Sequence, residues 1–229
     1  QQLLTLQKEH EVNTLKAKMQ AREEERDRIA REMHDDIGSA LTTILYLSDD
    51  LKTQDKEATM NTADSIASTA STVVDKMNEI IWSMNPDYDS VNDLIAYTRR
   101  HCAEFLRDHD LQYELQIPDT ISDLPLSGEQ RRNIYLVIKE ALHNIVKHAN
   151  ASKVKIVFQI NDRYLNVTIH DNGQGLQQTS SFGNGLKNMR RRVENIGGNF
   201  EIESGAGTTV ILNCPLYTHI AGIEQYNKC

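Results

Sequence analysis

EEERDRIAREMHDDIGSALTTILYLSDDL, residues 23–51, decides how the rest of the chain is read. His34 lies at its centre. On a helix, Ala30 stands four residues before it and Gly38 four after, so its neighbours on that face are the smallest side chains available. Gly38 lowers helix stability by roughly 1 kcal/mol relative to Ala, and close approach by another protein surface is one reason to keep it. Taken alone, the stretch also reads as a solvated surface histidine beside a chance glycine.

Outward from His34 the apolar pattern keeps helical steps. Val12, Leu15, Met19, Arg22, Arg26, Ile29 and Met33 alternate steps of three and four, and Ile37, Ala40, Ile44, Leu47 and Leu51 continue the row. Two consecutive steps of four, from Ile29 to Met33 to Ile37, resemble a stutter beside His34. A bundle core that uses a wider stripe than a two-stranded coil explains them equally. After a polar break at 53–57, a second seam runs through Ala63, Ile66, Ala70, Val73, Met77, Ile80 and Met84, and Asn85-Pro86 stops it. Two long amphipathic helices joined by a short polar loop make a hairpin with one apolar stripe. Dimerisation into a four-helix bundle is the economical way to cover that stripe.

The composition then shifts. Residues 93–107 read as a helix, 112–117 as a short strand, 118–128 as a loop with Pro118 and Pro125, and 129–149 as a strong helix with Ile134, Ile138, Ala141 and Ile145 on one face. Val154, Ile156, Phe158 and Ile160 alternate, as do Leu165, Val167 and Ile169 beyond Asn161-Asp162, which predicts an antiparallel hairpin with one buried face. Residues 171–182 are rich in Gly and Ser. A helix over 186–196 ends at Gly197-Gly198, and two last strands carry Phe200 and Ile202, then Val210, Leu212 and Cys214.

The formal charge of −8 argues against a general nucleic-acid binder, which needs a basic face for phosphates. Cys102, Cys214 and Cys229 are far apart and match no metal spacing, so free thiols in a reducing compartment are expected. No apolar run approaches the roughly 18 residues of a membrane span. The chain begins without Met inside a helical pattern, which points to a cytoplasmic fragment whose preceding part holds a sensor or membrane segment.

Asp171-Asn172-Gly173-Gln174-Gly175 follows a strand directly, and Gly183-Asn184-Gly185-Leu186 opens the next helix. Such glycines let backbone N–H groups approach phosphates, and the helix N-terminus favours anions. No Walker loop or dinucleotide fingerprint is present. Glu140, Asn144, Lys147 and His148 form one polar stripe on a continuous α-helix, offering a carboxylate, an amide oxygen for a hard cation and a cationic side chain.

REMHDDIGSAL resembles the phosphoacceptor box of two-component sensor histidine kinases, in the NarX/DesK-like subfamily where His is followed by Asp. KEALHNIVKHA is similar to their N box, DNGQG and GNGLKNMRRRVENIGG to their glycine boxes, GAGTT to the closing turn, and IIWSMNP to the end of the second bundle helix. The resemblance runs from about residue 24 to 216.

It implies an α+β chain: a dimeric four-helix bundle, one two-helix hairpin per chain, followed by an α/β sandwich ATP-binding domain of Bergerat (GHKL) type. The implied divisions are a signalling coiled coil at 1–30, a dimerisation and phosphotransfer domain at 31–90, a catalytic ATP-binding domain at 91–217 and a tail at 218–229. The implied activity is that of an ATP:protein-histidine phosphotransferase, with later transfer to an aspartate on a response regulator receiver. His34 is the implied phosphoacceptor, Asp35 orients or deprotonates it, and Glu140 assists. Asn144 ligates Mg²⁺, and Asp171 accepts from the adenine amino group of ATP. Gly173, Gly175, Gly183 and Gly185 frame the lid, with Leu186 in the second glycine box. Lys147 and His148 face phosphate or ribose, and Thr208 lies near the base. The implied partners are a second copy of the chain and the receiver domain, with no nucleic acid and no direct membrane contact by this fragment, although the full-length protein is expected to be tethered to the cytoplasmic membrane. Two other readings compete: an ATP-driven clamp of the gyrase and heat-shock chaperone type, which the bundle with His34 opposes, and a nucleotide-binding pseudokinase scaffold, which the intact boxes oppose.

Related boxes often carry Gln five residues after the His, proposed to position water for dephosphorylation, where this chain has Ser39. Phosphatase activity is therefore expected to be weak. Adding the chain without ATP to a phosphorylated receiver should leave phosphate loss near its spontaneous rate, and a marked acceleration would contradict this.

Overall fold

The computed structural model describes residues 2–51, 56–119, 121, 124–161, 164–176 and 184–216; the side chains of 2–7, 11, 18, 21–22, 25–36 and 56–58 lie outside that description. The chain divides into two compact units, Gln1–Met84 and Asn85–Cys229.

The first unit is a helical hairpin of α1 (Gln2–Asp50) and α2 (Lys56–Met84). The row Ile37, Ala40, Ile44, Leu47 and Leu51 is half-buried, and on α2 Val73 and Ile80 are buried. A second row stays on the surface: Leu45 is 70% exposed, and Leu41, Val74 and Ile81 are also exposed. The upstream seam residues Val12, Leu15 and Met19 are exposed as well. Beyond His34, the Thr42 and Thr43 hydroxyls donate to the carbonyls of Gly38 and Ser39 one turn back. Among the described residues no helix is long and apolar enough to cross a membrane.

The second unit is a two-layer sandwich. Its elements are α3 (Val91–Asp108), β1 (Gln112–Gln116), α4 (Gly128–Asn144), β2 (Lys153–Asn161), β3 (Tyr164–Asp171), α5 (Asn184–Asn195), β4 (Asn199–Gly205) and β5 (Gly207–Pro215). The five strands are ordered β1-β2-β3-β5-β4, with only the β1–β2 pair parallel. Alternation decides which face is covered: Val154, Ile156, Phe158, Leu165, Val167, Ile169, Leu212 and Cys214 are buried. The helical layer contributes Leu94, Cys102, Leu106, Ile134, Ile138, Leu142, Met189 and Val193, all buried. Cys102 and Cys214 are free thiols, and burial pushes both pKa values up to about 12.

Local sequence explains where elements stop. In the parallel pair, Gln112 N–H donates to the Ser152 carbonyl, and carrying that register onward would ask Pro118 to donate to Phe158. Proline has no N–H, so β1 ends at Gln116 while β2 runs on to Asn161. A capping box opens α4: Ser127 Oγ accepts from Gln130 N–H, and the Gln130 side chain accepts from Ser127 N–H. At the C-terminus of α5 the chain turns through Gly197 at φ 73.

The connector between the units is fastened to the sandwich. Arg131 on α4 is fully buried, donates to the Asn85 carbonyl and pairs with Asp89 at 3.2 Å. Asn85 also caps the short 3₁₀ turn Pro86–Tyr88, and Ser90 caps α3.

On the α3–α4 seam the His101 ring stacks on Phe105 at 5.7 Å and meets the edge of Tyr135 at 5.4 Å, and its Nε2 is buried without a hydrogen-bond partner among the described residues. Burial, followed by the charges of Lys139 and His143, lowers the His101 pKa from 6.5 to about 4. The neutral ring is the folded form, so the unfolded chain binds the extra proton as pH falls from 6.5 towards 4. This contribution to stability is complete above pH 6.5 and is lost below it. Between pH 7 and pH 4.5 the stability advantage of wild type over His101→Phe, measured by urea unfolding, should shrink by about 2 kcal/mol after allowance for solvent screening; a constant difference would refute the burial effect.

Candidate functional site

The site is built along α4. Its inward face, Ile134, Ile138, Ala141 and Ile145, is buried, which leaves Glu140 and Asn144 half-buried one turn apart at the layer's edge. The sequence predicts an unbroken helix to Ala149, but Ile145–Ala149 is a π turn. A π turn advances each residue less around the axis than an α turn. Lys147 and His148 are thus shifted from the stripe expected of a continuous helix, and both side chains are exposed. Asn150, in the left-handed region at φ 49, ends the turn.

Two clusters meet this axis. At Glu140 the N-terminus of α5 comes close: a Cβ added to Gly185 would lie 2.5 Å from Glu140 Oε1 and 4.0 Å from Asn144 Nδ2. A side chain here would push the Glu140 carboxylate aside. Leu186 follows, half-buried in the first turn of α5. At the other end, the loop after β3 packs on the π turn. Asp171 is buried, and its Oδ1 accepts from Gly173 N–H at 2.8 Å. A Cβ on Gly173 would lie 2.2 Å from the Ala149 carbonyl oxygen, and one on Gly207 would lie 1.8 Å from that of Asp171. Gly207 also holds φ 105, and Gly175 holds φ 72 beside Ser204. Thr208 is half-buried opposite Ser204 on the β4–β5 turn.

The structure thus brings together Glu140, Asn144 and Gly185, and separately Asp171, Gly173, Gly175 and the β4–β5 turn, with α4 and its π turn joining the groups. His34 and Asp35 lie in α1, where their side chains fall outside the described residues, as does Gly183 entirely. Two polar residues of the site went unremarked in the sequence. Gln174 N–H donates to the Ala149 carbonyl and Gln174 Nε2 to that of His148, while Ser204 Oγ accepts from Leu176 N–H. The position of Gln174 inside the DNGQG run was the only available signal.

Among the described residues no cluster of three or more His, Cys, Asp or Glu could hold a metal alone. One carboxylate and one amide, as at Glu140 and Asn144, suit Mg²⁺, which keeps water and substrate phosphates as its remaining ligands.

This arrangement coincides with two family matches: the histidine kinase-, DNA gyrase B- and HSP90-like ATPases over residues 129–218, and the histidine kinases over residues 25–89. The second unit is therefore an ATP-binding domain of that ATPase class. The chain belongs to the sensor histidine kinases, with relatives of the UhpB and DesK type. The Salmonella typhimurium histidine-protein kinase/phosphatase UhpB is 31% identical over 86% of this chain and 40% of its own length. Bacillus subtilis DesK is 30% identical over 84% of this chain and 51% of its own. This chain thus spans about half the length of these curated relatives. The fold is shared with the histidine kinase domain of the Erythrobacter litoralis blue-light activated kinase, at a TM-score of 0.52 and 17% identity, over 78% of this chain and 94% of that one.

The glycine contacts yield a graded prediction. Gly173→Ala and Gly207→Ala force backbone apart and should destabilise the sandwich by about 2 kcal/mol or more, with nucleotide binding weakened at least tenfold. Gly205→Ala, which meets nothing within 4 Å, should be neutral in both thermal unfolding and titration with a fluorescent ATP analogue. Equal effects at all three positions would remove the close-approach argument.

Proposed function

We propose that the chain is the ATP-dependent transmitter of a two-component system, which phosphorylates itself on His34 and passes the phosphoryl group to an aspartate of a receiver. The observation that carries this reading is the convergence of Glu140, Asn144 and Gly185 at one end of an ATPase domain that follows a His-Asp box. Sensor histidine kinases act on response regulators and typically dimerise. The exposed row Leu41, Leu45, Val74 and Ile81 supports pairing of two hairpins. A longer, membrane-tethered parent protein belongs to the same proposal.

In this reading a ring nitrogen of neutral His34 attacks the γ-phosphorus of ATP. An N–P bond forms as the bond to the ADP oxygen breaks, and Asp35 holds or takes the proton on the other ring nitrogen. Asp171 accepts from the adenine amino group, and Lys147 and His148 face phosphate or ribose. Thr208 lies near the base, and Gly173, Gly175, Gly183 and Gly185 shape the lid. Asn144, assisted by Glu140, would hold Mg²⁺, which when bound neutralises phosphate charge and orients the γ-phosphoryl group. Phosphoryl transfer demands mainly in-line positioning, so an ATP domain that reaches His34 transiently suffices. UhpB is named a phosphatase as well as a kinase; with Ser39 at the position that related boxes give to Gln, dephosphorylation by this chain is proposed to be slow.

Incubation with γ-labelled ATP and Mg²⁺ tests the reading. Acid-labile, alkali-stable label on the wild type should vanish in His34→Gln and fall at least a hundredfold in Asn144→Ala. ATP turnover without protein label would point instead to a clamp-type ATPase.

A further inference from the structure

We infer that Gln174 is a positioning residue for the nucleotide, acting by clamping the π turn Ile145–Ala149. A helix end leaves its last carbonyls without intrahelical donors, and here the turn closes at left-handed Asn150. One residue supplies two of the missing donors: Gln174 N–H reaches the Ala149 carbonyl at 2.9 Å, and Gln174 Nε2 reaches the His148 carbonyl at 2.8 Å.

This bridge ties together two parts of the site that belong to different elements. Asp171 Oδ1 holds Gly173 N–H at 2.8 Å, and Gly173 lets the loop lie against the Ala149 backbone. Gln174 comes next and grips the turn that carries Lys147 and His148. The backbone that carries Lys147 and His148 is thereby tied to the loop that follows the buried Asp171, although β2 and β3 separate the two in sequence. The side-chain bond is exposed, so losing it leaves the hydrophobic layers intact. A π turn without that bond is free to relax towards α-helical winding, which rotates Lys147 and His148 about the axis.

The inference rests on the proposed nucleotide site, and the test separates the two. Dissociation constants for ATP are measured by displacement of a fluorescent ATP analogue, alongside His34 labelling at saturating ATP, for wild type and Gln174→Met, which keeps the side-chain length without a donor. Gln174→Met should weaken ATP binding three- to tenfold, leave saturated labelling within twofold and leave the thermal midpoint unchanged within 2 °C. In a Lys147→Ala/His148→Ala background the same substitution should change binding less than 1.5-fold, because its effect passes through those side chains. Gln174→Lys, which restores a donor to the His148 carbonyl, should recover binding to within twofold of wild type. Unchanged binding in Gln174→Met, a loss that persists in full in the double-alanine background, or a lowered midpoint with binding and labelling falling together would each overturn the inference. If wild type binds ATP but takes no label, the kinase reading fails while the binding comparison still decides the role of Gln174.

Discussion

Two carbonyl oxygens set the geometry of the ATP-binding unit. Those of Ala149 and Asp171 are approached so closely by the backbone at Gly173 and Gly207 that no side chain fits between. Main chain packed on main chain is stiff, because it has no rotamers through which to yield. This fixes the loop after β3, the end of α4 and the β4–β5 turn as one body, and the buried Asp171 carboxylate sits at their junction. Glycine here serves proximity first and, at Gly207, also the left-handed torsion.

The two units differ in how far each satisfies itself. The sandwich packs its two layers on a shared core, and it also anchors its own connector through Arg131, whose Nη2 reaches both the Asn85 carbonyl and the Asp89 carboxylate from a side chain with no solvent exposure. A buried guanidinium is costly unless paired and hydrogen-bonded, so this arrangement trades desolvation for a unique connector path. The hairpin is the opposite case. Its facing row is half-buried, while Leu45, Tyr46 and Ile81 lie in solvent.

Much of this was legible in the sequence because periodicity reports burial. Period-two alternation marked β2, β3 and β5, and helical spacing placed Ile134, Ile138, Ala141 and Ile145 on one face, all of which are buried. The Asn85-Pro86 stop and the Gly197-Gly198 end fell where local chemistry allows nothing else. Three features were not legible, for physical reasons. The π turn differs from an α turn by one hydrogen-bond step, which composition does not encode. Gln174 and Ser204 act through partners far away in sequence, at His148 and Leu176. Arg131 reads as surface charge until its partners at Asn85 and Asp89 fold back over it. The candidate site was legible as a set of residue types, whereas their grouping into two clusters joined by α4 came from tertiary structure.

Cys102 on α3 and Cys214 on β5 stand in opposite layers of the sandwich, both fully buried, with thiol pKa values pushed up to about 12. Reaction requires thiolate, so neither sulfur is attacked while the layers stay shut. Each therefore acts as an internal clock. Its modification rate counts the moments when the two layers part and uncover the core they share. A domain that moves as a rigid body would keep both clocks slow.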